Sequence, residues 1–303
     1  MIKIVEVGPR DGLQNEKVLV PTSIKVELIN RLSAAGITHI EATSFVSPKW
    51  VPQLADAADV MRQIARQPGT TYSALVPNTK GFESALSAKV DEVVIFTAAS
   101  ETFSQKNTNC SIAESLARFA PVASAAKQYH LRLRGSISCA LGCPYQGEVP
   151  VFAVAEMVRR LCDLGCDEID IADTIGVGTA NQVKAIIRAA AQEFSIDRLA
   201  GHYHDTFGQA LANILASLEV GLSSFHSSVA GLGGCPFAHG ATGNIATEDL
   251  LYLLRGLGLE TGISLDEMVL TGDFISQAIG RENASRAGRA LLAKQWPAAP
   301  KEH

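Results

Sequence analysis

The chain has 303 residues, 47% apolar and 19% charged, enough for a large buried core in one big domain or two ordinary ones. A formal net charge of −5, from 26 basic and 31 acidic residues with no run of either sign, leaves no electrostatic footprint for nucleic acid or an acidic membrane. No apolar stretch approaches the roughly 18 to 20 residues of a membrane helix, and MIKIVEVGPRDG enters a strand pattern without a signal peptide's apolar centre, so a cytoplasmic protein is expected.

Short β-rich runs recur along the chain, each followed by a longer helical pattern. The strands are read at IKIVEV (2–7), HIEATS (39–44), TYSALV (71–76), EVVIFTAA (92–99), LRLRGSISC (131–139), EIDIADT (168–174), LAGHYHD (199–205) and SSFHSSV (223–229). Between them lie amphipathic segments such as TSIKVELINRLSAAG, TANQVKAIIRAAAQEF and GQALANILASLEVG, often with a glycine at the C-terminal stop. Each helix can return the chain for a parallel neighbour. Eight such units in about 260 residues match a (β/α)8 TIM barrel better than a doubly wound sheet. The whole chain reads as a single domain: a barrel over about 1–258, a C-terminal helical extension over about 259–293, and a disordered tail at 294–303.

A barrel of this kind keeps its chemistry at the C-terminal ends of the strands and in the loops that follow. The polar residues obey that demand. Arg10, Asp11, Gln14 and Asn15 follow strand one; Glu41 lies on strand two, Arg134 and Ser138 on strand five, Asp173 on strand six. His202 and His204 lie on strand seven, and the loop after strand eight reads AGLGGCPFAHGATGN, with Cys235 and Asn244.

Two histidines one residue apart on a strand face the same way. By itself the pair is either a metal site or two solvated or core polar groups. Strand one closes the barrel against strand eight, so Asp11 and Asn244 can approach His202 and His204. A ligand set of carboxylate, two imidazoles and an amide contains no thiolate and favours octahedral Mg2+ or Mn2+, with Co2+ also compatible, over structural zinc. Asp205 alternates away from the pair and orients the next helix. Arg10 is either a local salt bridge or a fork for a substrate oxyanion. Glu41 and Asp173, acids in strands that read as buried, are either partners of Arg10, Arg134 or the histidines, or acid/base groups. GLGGCP describes a mobile loop carrying one reactive side chain, Cys235, and lacks a P-loop ending or a GxGxxG motif, so no nucleotide cofactor is expected. His39 and His226, internal to strands, read as structural. The cysteines at 110, 139, 143, 162, 166 and 235 are too sparse for a disulfide scaffold, and most read as buried thiols.

VEVGPRDGLQNE, SFVSPKWVPQ, SCALGCPY, DTIGVGT, HDTFGQALAN and SVAGLGGCPFAHGATGNIATEDL together resemble the 3-hydroxy-3-methylglutaryl-CoA lyases, metal-dependent barrel enzymes related to the isopropylmalate and homocitrate synthases. The resemblance runs from about residue 2 to about 293. It implies cleavage of 3-hydroxy-3-methylglutaryl-CoA to acetyl-CoA and acetoacetate in leucine degradation, an acyl-CoA substrate, a divalent cation and a homodimer. Residue by residue, it implies metal ligation by Asp11, His202, His204 and Asn244, and catalytic roles for Arg10, Glu41, Asp173, His202 and Cys235. Arg10, Gln14 and Arg134 are expected to contact substrate. In this scheme His202, with Asp173, takes the proton of the C3 hydroxyl, Arg10 stabilises the enolate oxygen, and Cys235 protonates the enolate carbon.

Four positions depart from the family pattern: His226 where Asp is usual, Asp170 and Ala172 where strand six usually reads Ser-Leu-Gly, and Ser136 where Tyr is common. They point to the acyl group as the open question, with a related 3-hydroxy-3-alkylglutaryl-CoA as the alternative substrate. A Claisen-condensing acyltransferase of the same superfamily is the other alternative, disfavoured because only some 50 residues follow the barrel.

Overall fold

A computed structural model describes residues 1–234 and 243–295. Eight strands, β1 (Lys3–Glu6), β2 (His39–Ser44), β3 (Thr71–Leu75), β4 (Glu92–Ala98), β5 (Arg132–Ser138), β6 (Glu168–Asp173), β7 (Leu199–Tyr203) and β8 (Ser224–Ser227), form a closed parallel barrel in sequence order. β1 pairs with β8 from Lys3 opposite Ser224 to Glu6 opposite Ser227, which closes the ring as the sequence demands. Around it run α1 (Thr22–Ala34), α2 (Ala57–Gln63), α3 (Thr79–Ser87), α4 (Glu101–Thr108), α5 (Ile112–Gln128), α6 (Val151–Leu164), α7 (Ala180–Glu193), α8 (Ala210–Glu219) and α9 (Thr247–Gly256). α10 (Leu265–Ile279) and α11 (Arg286–Gln295) follow the last barrel helix. The expected strands are all present, most of them one or two residues shorter than their β-rich runs. The helix α11 carries Lys294 and Gln295 out of the expected tail, and residues 296–303 lie outside the described set.

Local sequence explains the helix starts. Ser111 and Glu114 form a reciprocal capping box on α5, and Thr179 with Gln182 does the same on α7, each satisfying N–H groups that a helix start leaves orphaned. The apolar core lies mainly between strands and helices, where Ile40, Val93, Ile137 and Ile169 meet residues such as Leu28, Val122 and Leu161.

Inside the barrel the usual apolar layers give way to charge. Arg134 is 1% exposed and pairs with Glu41, with Glu92 at 3.2 Å and with Asp170 at 3.6 Å; Lys3 pairs with Glu168 lower down. A buried cation is tolerated only when paired on this scale. This ionic stack underlies the catalytic mouth.

Candidate metal and active site

The site begins with the turn after β1. The N–H groups of Arg10, Asp11 and Gly12 all converge on the Val7 carbonyl, at 3.2, 2.8 and 3.1 Å, a wide turn over Gly8–Gly12 that projects Arg10 and Asp11 into the mouth. Gly12 is required by closeness: a Cβ there would lie 2.8 Å from both Leu232 Cβ and Ser228 Oγ of the β8 side. Glu6 fastens the two segments together. Its buried carboxylate accepts from the N–H of Gly8 (2.8 Å) and Val229 (2.9 Å) and from Thr247 Oγ1 (2.6 Å), while burial pushes its carboxyl up to about 7. No motif marks Glu6 in the sequence; the one signal of it is a single acid inside the apolar run IKIVEV.

Asp11, His202 and His204 bring one ligand atom each within 4.8 Å of one another. His202 lies on β7; His204, just past it, bridges to Asn244. Asn244 donates its amide nitrogen to Asp11 Oδ2 at 2.8 Å and to the Leu232 carbonyl at 3.2 Å. In this arrangement its amide nitrogen is a partner of Asp11. Burial favours the neutral acid of Asp11 but is outweighed, first by the adjacent Arg10 guanidinium, so the carboxyl is held well below the ordinary range. Burial pushes His202 down to about 4, opposed by Asp11, and lowers His204 as well, which favours the neutral imidazole that ligates metals.

The donor set passes the test for a divalent cation. Among the described residues His204 Nδ1 is buried with no hydrogen-bond partner. A carboxylate oxygen and two imidazole nitrogens gathered within 4.8 Å of one another, with no thiolate among them, are the donors an N/O cation site requires.

Arg10 donates through Nη1 to Asp11 Oδ1 at 2.7 Å and through Nε to Glu41. Glu41 also takes Arg134 Nη2, so one carboxylate, held below its ordinary pKa against burial by the two guanidiniums, joins the mouth to the ionic stack. β2 carries a register shift between Glu41 and Thr43. Arg10, Asp11, Gln14, His202 and His204 line a cavity of about 620 Å³ at this mouth, together with apolar residues including Trp50 and Phe96. A second cavity of about 740 Å³, beside Arg62 and Lys89 between α2 and α3, holds none of these groups.

Three expected residues stand apart from the cavity. Arg134 does not reach its wall: every guanidinium nitrogen is engaged by Glu41, Glu92, Asp170 or His226, so its expected substrate contact is replaced by support of Glu41. Glu41 lies beneath Arg10 and is likewise fully buried. Strand alternation turns Asp173 away from Ala172 and Thr174, which do line the cavity. Its carboxylate accepts from the N–H of Val177 (3.1 Å) and Gly178 (2.8 Å), shaping the β6–α7 turn, and burial raises it to about 6. A Cβ on Gly178 would fall 2.8 Å from that carboxylate. Cys235 lies outside the described residues; Gly234, before it, reaches the cavity wall and accepts from Asn15 Nδ2 at 3.0 Å. Asp205 accepts from the Ala210 N–H at 2.9 Å, orienting α8 as expected.

A closed (β/α)8 barrel with a carboxylate and two imidazoles at its C-terminal mouth defines the chain as a barrel enzyme of the cation-assisted kind. The chain belongs to the HMGL-like family, which it matches over residues 1–275. It is 57% identical over 293 residues to the 3-hydroxy-3-isohexenylglutaryl-CoA/hydroxy-methylglutaryl-CoA lyase of Pseudomonas aeruginosa, covering 97% of this chain and 98% of that one. The crystal structure of a hydroxymethylglutaryl-CoA lyase from the same organism superposes with a TM-score of 0.95 at 57% identity, over 97% of this chain and 98% of that chain. An HMG-CoA lyase from Acinetobacter baumannii, solved with coenzyme A and 3-methylmalate, gives 0.91 at 36% identity, over 100% and 97%.

Proposed function

We propose that this chain is a divalent-cation-dependent carbon–carbon lyase that cleaves 3-hydroxy-3-methylglutaryl-CoA to acetyl-CoA and acetoacetate. The observation that carries the reading is the meeting of Asp11, His202 and His204 beside Arg10 at the mouth of a barrel from this family.

Breaking the C2–C3 bond requires loss of the C3 hydroxyl proton while electrons flow into the thioester carbonyl. Asp11, His202 and His204, with Asn244 through its amide oxygen, would hold the cation, and Mg2+ or Mn2+ suits these oxygen and nitrogen donors. When bound, the cation supplies Lewis-acid polarisation of the substrate's oxygens and fixes their orientation. Arg10, fastened by Glu41 and Asp11, presents a rigid guanidinium to the enolate oxygen as charge develops there. His202 faces Asp11 with Nε2, 4.0 Å from Oδ2, and the lone pair on that atom either ligates or accepts the hydroxyl proton. Asp173, held by backbone N–H groups, shapes the turn that bears Thr174. Cys235 is proposed to return a proton to the enolate carbon, in keeping with the approach of Gly234 to the cavity. Gln14, on the wall, is proposed to contact the acyl-CoA. A cytoplasmic compartment is proposed, in keeping with cysteines too sparse along the sequence for a disulfide scaffold. Assembly as a homodimer rests on the family resemblance and is read by light scattering.

A specific observation favours a second reading of the acyl group. Ser136 and Ala172, both small, line the cavity with Leu75 and Phe96, which leaves room for an alkyl chain longer than methyl at C3. The Pseudomonas aeruginosa relative carries both substrates in its name. Comparing kcat/KM for 3-hydroxy-3-methylglutaryl-CoA and its isohexenyl analogue decides the matter: a ratio within about tenfold supports a broad pocket. Ser136→Tyr is then expected to reject the long chain and spare the short one.

A further inference from the structure

We propose that Arg281, in the link between α10 and α11, is a positioning residue for the lyase reaction: its guanidinium clamps the stem after β8 to the segment that follows the β1 turn, and so sets the spacing of the cavity wall where Asn15 meets Gly234. The role rests on the reading of the barrel mouth as a lyase site.

The end of α10 aims Arg281. Gly280, left-handed at φ 66°, closes the helix; its N–H reaches the Gln277 carbonyl at 3.2 Å and the Arg281 N–H reaches the Ser276 carbonyl at 2.9 Å. This Schellman pattern fixes the direction in which the chain leaves the helix. The side chain then spans two segments from opposite ends of the barrel sequence. Nη1 pairs with Glu16, and Nη2 donates to the Gly231 carbonyl at 3.0 Å. One planar guanidinium holds two acceptors at a set separation, which a single ammonium does not.

The stem that Arg281 grips departs from ordinary backbone. Ala230 has φ 57° and Gly231 φ 60°, a left-handed pair that is costly at alanine. Such a conformation persists only where its surroundings over-determine it. Here the restraints come from beyond the eight strands: Glu248 on α9 accepts from the Ala230 N–H at 2.9 Å, the Ala284 N–H donates to the Ala230 carbonyl at 3.0 Å, and Arg281 takes the next carbonyl. From this anchored stem the chain passes the buried Leu232, packed against Gly12, to Gly234, whose carbonyl accepts from Asn15 Nδ2 at 3.0 Å. Asn15 and Gly234 line the same cavity as Arg10, Asp11 and Gln14. Glu16 adjoins Asn15, so the two segments are joined twice, by Arg281 from outside and by Asn15 at the wall. The inner bond is neutral and exposed and contributes little alone; the outer one is charge-assisted and partly buried. Asn244 ties Leu232 to Asp11 deeper in the site. The C-terminal extension thus acts on the mouth without lining it: none of the described residues of α10 or α11 reaches the cavity wall.

The test is acetoacetate formation from 3-hydroxy-3-methylglutaryl-CoA by the full chain at saturating Mn2+, with amide hydrogen exchange read alongside. Arg281→Met is expected to lower kcat about ten- to a hundredfold, the scale of a misplacement of about 1 Å at a reacting centre. Exchange is expected to quicken at residues 8–16 and 229–234 and to stay unchanged in β4, β5 and β6. Glu16→Gln is expected to cost less, and the double variant to be no slower than Arg281→Met, because both changes break one clamp; losses that multiply overturn the proposal. Asp249→Asn is the control. Asp249 accepts from Ser285 Oγ at 2.8 Å and from the Ala287 N–H at 2.6 Å, so it secures the start of α11 without touching the clamp. It is expected to lower the melting temperature and keep kcat within about twofold of the parent. A kcat loss equal to that of Arg281→Met would show that any loosening of the extension suffices, which overturns the role of Arg281. An active parent with Arg281→Met within about twofold of it overturns that role alone, whereas a parent that forms no acetoacetate overturns the lyase reading and this role with it. Should the methionine variant fail to fold, Arg281→Lys decides: its ammonium serves Glu16 or Gly231 but not both, kcat is expected to fall at least about threefold, and parental kcat contradicts the clamp.

Discussion

Asn244 donates its side-chain amide to Asp11 Oδ2 at 2.8 Å, tying the loop after β8 to the turn after β1 across 233 residues of chain. With Arg10 on Oδ1 at 2.7 Å, both oxygens of Asp11 are held in place. Asn244→Asp replaces this donor with a second carboxylate. The variant is expected to melt at lower temperature than the parent without metal and to gain more from added Mn2+, because the cation then relieves a like-charge pair as well. Thermal melts with and without Mn2+ read both numbers; an unchanged Mn2+-induced shift contradicts the placement of Asn244 beside the cation.

Arg10 engages Asp11 and Glu41 through different nitrogens of one planar group. Lysine has a single ammonium and cannot span both partners while facing a substrate oxygen. Arg10→Lys is expected to lower kcat by about 10² to 10³. Steady-state rates at saturating metal and substrate check this, and a loss under about threefold contradicts the assigned role.

Glu41 neutralises two guanidiniums from within the barrel, those of Arg10 and Arg134. Glu41→Gln leaves Arg134 short of one partner in a place water does not reach. A loss of about 3 to 5 kcal/mol in unfolding free energy is expected, read by urea titration. Stability equal to the parent would show that Glu92 and Asp170 suffice for Arg134.

The eight-strand barrel was legible because each strand run is bounded by a helix pattern of return length, and because β-α repetition on that scale has few other solutions. Asp11, His202 and His204 were legible from where they fall on strand ends. The roles of Asp173 and Arg134 were not. The strand that carries Asp173 is buried on both faces, so no alternation of polar and apolar residues marks which face Asp173 takes. Arg134 reads as a mouth residue, but Glu92 and Asp170 from the two neighbouring strands enclose it, and such pairing depends on register that a single sequence does not display. His226 reads as an ordinary buried histidine for the same reason: its partner His202 is 24 residues away and meets it only through the β7–β8 register.

Glu248, on α9, accepts from the Ala230 N–H, and burial pushes its carboxyl from 4.5 up to about 8. The folded chain therefore holds a proton there that the unfolded chain releases near 4.5. Between those values the folded state binds more protons, so stability present at low pH is lost as pH rises through the window toward 8. Glu248→Gln cannot ionise and removes this contribution. Melting temperatures at about pH 5.5 and about pH 8.5 should differ less in the variant than in the parent, with the variant's gain appearing at the higher pH. An equal drop in both would place the proton elsewhere.

The most direct test of the central claim is acetoacetate formation from 3-hydroxy-3-methylglutaryl-CoA by purified protein, first stripped of metal by chelation and then supplied with Mg2+ or Mn2+. The account predicts product only after metal is restored, in equal amount with acetyl-CoA, and none from a folded Asp11→Ala or His204→Ala chain. Product formation by the stripped protein, or full activity in either variant, would contradict a cation held by Asp11, His202 and His204.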